Sequence, residues 1–334
     1  MTSRPKAPHV PPSGVWCPAV TLFDPDTDTL DIPSQKKYFA LLARSGLAGL
    51  LVLGTNAETF LLTREERKAL LVAAREACGP SFPIMAGVSG HSTAQVLEFI
   101  ADAHSAGADY VLVLPPGYFG AALAPPAMLR DFFCDVSLAA WDLGMGTVIY
   151  NFPGVTNGID FPSSLITALA RENAPRIVGV KLTCGSVAKV TRLAASLPAA
   201  EFAIFGGQSD FLVGALAVGG AGCIAAFANV FPRTVVEVYR LWTAGRWDEA
   251  LALHARAALA EEAVKSGGVA AVKFAAGVWT AGRAGVKGAE GRMGMRRPYL
   301  GLGEGERKGV REALEGLAEV EGGLWEGDGG RGEE

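Results

Sequence analysis

Eight short apolar runs recur between Val15 and Phe227, and this recurrence constrains the fold more than any other feature of the chain. The runs are Val15–Phe23, Gly49–Gly54, Pro83–Val88, Tyr110–Pro115, Thr147–Phe152, Ile177–Thr183, Phe202–Gly206 and Gly222–Phe227. Each is continuously apolar rather than alternating, the pattern of strands buried on both faces. Between them lie amphipathic stretches with helical periodicity: Arg64–Ala77, Thr93–Ala106, Ala127–Ala139, Phe161–Arg171, Val187–Leu197, Asp210–Val218 and Pro232–Ala244. Strand–helix units in this number predict a (β/α)8 barrel, a fold of ~250 residues. A doubly wound sheet is the alternative, but it wants a glycine-rich phosphate turn after the first strand. Here that strand runs into Thr21-Leu22-Phe23-Asp24-Pro25, which has none.

Local signals support the helices. Thr63 before Arg64-Glu65-Glu66 reads as an N-cap with a capping box, Ser92 and Ser209 as weaker N-caps, and Gly46, Gly79 and Gly107 as helix ends. Beyond Gly245 only helical patterns follow: Trp247–Lys265, Val269–Val278 and Glu306–Leu317, with Gly282–Gly294 expected as a loop. The chain therefore divides into a flexible segment over 1–14, a barrel over 15–245, a C-terminal helical extension over 246–320 and a disordered Gly/Glu-rich tail over 321–334. No internal repeat is present.

Composition narrows the partners. Of 334 residues, 19% are charged, and the net charge is -4, which leaves no footprint for nucleic acid or an anionic membrane. No apolar run is long and clean enough to span a bilayer. Met1 to Gly14 lacks both the apolar stretch of a signal peptide and the Arg-rich pattern of a transit peptide. The five cysteines are widely spaced, with no C-x-x-C, so neither a disulfide framework nor a zinc site is indicated. A reducing cytosol, and so a cytoplasmic location, is the expectation.

Lys181 closes the run Ile177-Val178-Gly179-Val180-Lys181-Leu182-Thr183. A lysine ending a buried strand is costly unless it is paired or put to use. Burial disfavours the ammonium form of a lysine, and a neutral lysine can form a Schiff base with a ketone. Two further strand ends are unusual for a barrel, where functional residues lie at such ends: Gly54-Thr55-Asn56-Ala57-Glu58 and Tyr150-Asn151-Phe152-Pro153. Taken alone, each has an ordinary reading. Lys181 could snorkel or pair, Tyr150 could be a half-buried core tyrosine, and Thr55 a turn residue. Glu58 reads as structural, accepting backbone N–H bonds near a helix start, and Lys273 as a helix residue whose stem covers the barrel.

Together these segments resemble the dihydrodipicolinate synthase / N-acetylneuraminate lyase family, the pyruvate-dependent class I aldolases. The resemblance runs from about Gly14 to Leu317. It includes the Thr55 turn with Leu62-Thr63-Arg64-Glu65-Glu66, and Gly107-Ala108-Asp109-Tyr110 with Pro115-Pro116-Gly117-Tyr118. It continues through the Tyr150 and Lys181 segments, Gly219-Gly220-Ala221-Gly222-Cys223-Ile224 before Ala228-Asn229, and Arg296-Arg297-Pro298-Tyr299-Leu300. The resemblance implies Lys181 as the Schiff-base lysine and Tyr150 as the acid/base, hydrogen-bonded to the Thr55 hydroxyl. It implies that the Thr55 and Asn56 amides hold the pyruvate carboxylate, that the Ile224 carbonyl faces the lysine, and that Tyr118 reaches a neighbouring subunit's site in a homotetramer. It implies no metal and no organic cofactor. The four histidines form no H-x-H or H-E-x-x-H pair, so Asn229, His91 and His104 make no metal set of a metal-dependent aldolase.

Departures locate the chain within the family. The synthases carry an arginine two residues after the Tyr-Asn-x-Pro proline, and here that position is Val155. Asn56 and Ala57 replace a threonine and a glycine, and a side-chain amide at position 56 is also seen in 4-hydroxy-2-oxoglutarate aldolases. The Lys181 and Tyr150 segments look most like L-threo-3-deoxy-hexulosonate aldolases. Cleavage of a 2-keto-3-deoxy sugar acid is therefore the expected activity. Condensation of the dihydrodipicolinate synthase type, 4-hydroxy-2-oxoglutarate cleavage and a chain that keeps the fold without activity are the alternatives.

Overall fold

The structure is a computed structural model that describes residues 10–327. Eight parallel strands close into a barrel in chain order: β1 (Gly14–Pro18), β2 (Gly49–Val52), β3 (Ile84–Gly87), β4 (Tyr110–Val113), β5 (Gly146–Asn151), β6 (Ile177–Leu182), β7 (Ala203–Gly206) and β8 (Gly222–Ile224), with β1 paired to β8. All eight expected runs hold a strand, and all but β7 stop short of the end of the run, where the last residues peel away as loops. The first run ends as a strand at Pro18, and Phe23 instead bridges to Leu30.

Helices alternate with the strands: α1 (Ile32–Ala43), α2 (Arg64–Cys78), α3 (Thr93–Ser105), α4 (Pro126–Asp142), α5 (Ser163–Glu172), α6 (Val187–Ser196), α7 (Leu212–Ala217) and α8 (Pro232–Thr243). The α1 helix fills the gap that the sequence pattern left between the first two strands, and Asp31 caps it by accepting the Ser34 N–H. The Thr63 capping box and the Ser92 cap both form. Ser209 caps no helix. Its hydroxyl donates to the Glu261 carboxylate instead, and α7 starts at Leu212, two residues later than expected.

The continuous apolar runs have two buried faces. Trp16, Leu51, Met85, Tyr110, Leu112, Val148, Tyr150, Phe205 and Ile224 fill the barrel interior. The alternate residues, such as Val15, Cys17, Leu50, Val52, Val111 and Ile149, pack outward against the helices. Trp16 is the interior keystone, edge-on to Tyr110 at 6.1 Å and to Phe205 at 6.3 Å. A Cβ on the adjacent Gly49 would lie 2.4 Å from that indole, so only glycine fits there.

The extension comprises α9 (Trp247–Ser266), α10 (Gly268–Ala276) followed by a π-helical turn (Gly277–Ala281), α11 (Ala289–Arg292) and α12 (Glu304–Glu326). The single turn of α11 lies inside the segment expected as a loop. The run of α12 to Glu326 corrects the expected tail, because residues 321–326 are helical. Glu321 explains this. Its carboxylate is 3% exposed and accepts the N–H groups of Arg233 and Thr234 at the start of α8, so a composition with little apolar material still docks. The rest of the expected tail, 328–334, lies outside the described residues, as do residues 1–9 of the expected flexible segment 1–14, whose last residue, Gly14, instead opens β1.

Candidate active site

Lys181 is brought to the interior of the barrel near the end of β6, where it is 2% exposed. Among the described residues no carboxylate pairs with it. Its Nζ lies over the ring of Tyr150, 4.3 Å from the centroid. Tyr150 is its register partner on β5 and is itself buried. The Tyr150 hydroxyl lies 3.4 Å from Thr55 Oγ1, where either group can donate. Thr55 opens a short 3-10 turn, Thr55–Ala57, directly beyond β2, and the Ala57 carbonyl accepts the Thr21 hydroxyl at 2.8 Å. Three strand ends thus converge because the register of a closed barrel puts them at one rim.

A cavity of about 180 Å³ opens here. Of the residues singled out from sequence, Lys181, Tyr150, Thr55 and Asn56 line it. Ile224 does not; it is fully buried in the interior cluster that also holds Tyr150. Tyr118 stands outside the cavity, 70% exposed, against His91 and Phe119. Val155 ends the Pro153–Val155 turn, is 42% exposed, and is not among the lining residues. Among the described residues, no group of three or more His, Cys, Asp or Glu could hold a metal ion. Asn229 is spent structurally: its amide spans Val20 N–H, the Tyr38 hydroxyl and the Pro18 carbonyl.

Several lining residues escaped the sequence. The Thr183 hydroxyl is buried in the cavity wall, without a hydrogen-bond partner among the described residues. A Cβ on Gly207 would fall 2.1 Å from that hydroxyl, so the glycine keeps the space open. From α9 come Glu261 and Lys265. The Glu261 carboxylate accepts the Ser209 hydroxyl at 2.5 Å and the Ser209 N–H at 3.2 Å. Burial pushes its pKa up to about 7, and Asp210 adds to the shift, while the Ser209 bonds and Lys265 oppose it. Lys265 Nζ donates to Asp210 at 2.6 Å. The signal that could have found them was two charges on otherwise apolar-periodic positions of one helix, a pattern that surface residues also give.

The arrangement offers a buried amine, a phenol able to exchange a proton with a neighbouring hydroxyl, and a largely apolar wall in which Glu261 and Lys265 stand among Val264, Val269 and Val272.

A family model described as the dihydrodipicolinate synthetase family matches residues 11–317. A Coccidioides immitis (strain RS) protein, provisionally named a mitochondrial 4-hydroxy-2-oxoglutarate aldolase, is 59% identical over 317 residues, covering 95% of this chain and 99% of that one. An L-threo-3-deoxy-hexylosonate aldolase of Aspergillus niger is 32% identical, covering 92% of this chain and 96% of that one. Among solved structures, a dihydrodipicolinate synthase family protein from Coccidioides immitis superposes with a TM-score of 0.88 at 56% identity, covering 95% of this chain and 99% of that one. YagE, a prophage protein of E. coli K12 solved in complex with pyruvate, gives 0.80 at 26% identity, covering 91% and 98%.

Proposed function

The chain belongs to the dihydrodipicolinate synthetase family, and from that premise we propose that it is a Schiff-base aldolase cleaving a 4-hydroxy-2-keto acid to pyruvate and an aldehyde. The observation that carries this reading is Lys181, buried without a carboxylate partner among the described residues and 4.3 Å from the ring of a tyrosine that itself meets a threonine hydroxyl. Lys181 Nζ adds to the C2 carbonyl and water is lost, leaving an iminium. Tyr150, assisted by Thr55, takes the proton of the C4 hydroxyl. The C3–C4 bond breaks, the aldehyde leaves, and the electron pair flows toward the iminium nitrogen to give an enamine of pyruvate. Protonation at C3 and return of water free pyruvate and Lys181. The iminium is the electron sink, so the reading calls for no metal or organic cofactor. The Thr55 and Asn56 amides receive the substrate carboxylate, Ile224 supplies the carbonyl beside the lysine, and the Thr183 hydroxyl is free to bond the substrate.

The first substrate reading is a 2-keto-3-deoxy sugar acid such as L-threo-3-deoxy-hexulosonate. Its support is the outer wall, where Glu261 offers acceptors to hydroxyls and Lys265 is already paired with Asp210. The second reading is 4-hydroxy-2-oxoglutarate, favoured by the name of the 59% identical relative and by Lys265 as a second cation at the cavity. Pyruvate release from each compound decides. A higher kcat/KM for the sugar acid supports the first reading, the reverse supports the second, and release from neither refutes the aldolase.

A homotetramer is part of the proposal, supported by an exposed aromatic patch. Phe60, Tyr118 and Phe119 are 52%, 70% and 73% exposed around His91. A monomer mass by light scattering at micromolar concentration would count against it. For the compartment, no helix among the described residues is long and apolar enough to cross a membrane. Free cysteines suit a reducing interior. Fractionation of tagged protein decides between the expected cytoplasm and the mitochondrion named for two relatives.

A further inference from the structure

The Thr55–Ala57 turn is tied to the helical extension by an ion pair out of contact with water. Lys273 on α10 is 0% exposed, and its Nζ lies 2.5 Å from Glu58 Oε1. Glu58 follows the turn directly. It holds a left-handed backbone (φ 56°) and donates its own N–H to the Thr55 carbonyl at 3.0 Å. Its other carboxylate oxygen accepts the Arg296 N–H at 2.8 Å. The Arg296 guanidinium clamps Glu66 through contacts of 2.5 and 2.8 Å, and Glu66 closes the capping box on Thr63. Both cations also lie over one ring, Phe23, at 4.6 Å for Lys273 and 5.2 Å for Arg296. Glu58, which follows the turn, and Glu66, which caps α2, are therefore both held by the C-terminal extension.

Stability alone does not explain this pair. Ammonium and carboxylate both lose their hydration, and an apolar pair of similar volume would hold α10 on the barrel at least as well. An apolar pair could not fix the orientation of a polar turn. A non-glycine residue in the left-handed region persists only where its surroundings hold it. Here the holding group reaches the turn from another part of the chain.

We propose that Lys273 is a positioning residue of the aldolase site: through Glu58 it fixes the turn whose Thr55 and Asn56 amides receive the pyruvate carboxylate and whose Thr55 hydroxyl meets Tyr150. The inference rests on the aldolase reading, and it makes the helical extension part of the pyruvate-binding apparatus.

Pyruvate is the probe. Borohydride reduces the Lys181 iminium to a stable secondary amine, and the pyruvate concentration giving half-maximal labelling reports on the turn whatever the aldehyde. Lys273→Met/Glu58→Gln removes both charges and keeps an amide oxygen for the Arg296 N–H. It should fold and need at least about tenfold more pyruvate, the scale on which a misplaced positioning group acts. A double variant that folds and is labelled at the wild-type concentration overturns the inference and leaves the aldolase reading intact. Wild-type protein that is not labelled at Lys181 overturns both. If the double variant does not fold, Glu58→Gln alone decides, since it keeps an amide oxygen for the Arg296 N–H and removes only the charge by which Lys273 holds the turn. It should shift half-labelling by at least about threefold, the smaller effect expected where a hydrogen bond to the amide remains, and an unchanged value overturns the inference.

Discussion

Tyr150 and Lys181 are register partners on adjacent strands, and the lysine Nζ lies over the face of the phenol, 4.3 Å from its centre. An amine and a proton carrier are thereby held by backbone pairing rather than by loops.

Lys181→Ala should fold and lose turnover by at least about a thousandfold, or roughly 4 kcal/mol of transition-state stabilisation. Peptide mapping after pyruvate and borohydride should find the added mass on the Lys181 peptide. Mass on Lys273 or Lys265 would move the chemistry elsewhere.

Tyr150→Phe should lower kcat by roughly 10²–10⁴, the range of a positioned acid/base, because it keeps the ring beside Lys181 and removes only the hydroxyl. Thr55→Val should cost less, about tenfold, as expected for one lost hydrogen bond of ~1.4 kcal/mol. A Tyr150→Phe variant with wild-type kcat would remove Tyr150 from the proton path.

Glu261 predicts a pH dependence of stability. Its pKa is raised from 4.5 to about 7, chiefly by burial, so the folded state binds more protons than the unfolded chain between those values. Stability from this group is fully present below the unfolded value and falls as pH rises through the folded one. Melting temperature should therefore decline between about pH 4.5 and 7 relative to Glu261→Gln, and the variant should be more stable by a few degrees at pH 8. Identical profiles for the two proteins would show that folding leaves the Glu261 pKa unshifted.

Val155 leaves the synthase arginine position without a charge. Loss of a charge-assisted bidentate contact costs on the order of 1.5–3 kcal/mol, or roughly ten- to hundred-fold in specificity. Aspartate semialdehyde should therefore condense with pyruvate more poorly than glyceraldehyde does, measured as kcat/KM. Val155→Arg should move the ratio toward the semialdehyde. A clear preference of the wild type for the semialdehyde would establish the synthase activity instead.

What the sequence determined by itself was local or periodic. Continuous apolar runs specified strands buried on both faces, and the Thr63 and Ser92 caps specified where α2 and α3 begin, because each depends on residues within a few positions. Lys181, Tyr150 and Thr55 were legible because a polar residue ending an apolar run is anomalous in one dimension. Glu261, Lys265 and Lys273 were not: on α9 and α10 they look like ordinary helix charges, and only the packing of the extension brings them to the cavity and to Glu58. Ser209 shows the same limit, since a serine before an apolar helix suits a cap until a buried carboxylate from 52 residues away takes its hydroxyl. The tertiary structure decided these roles, because a buried charge must find its partner wherever the fold supplies one, and chain separation carries no record of that distance.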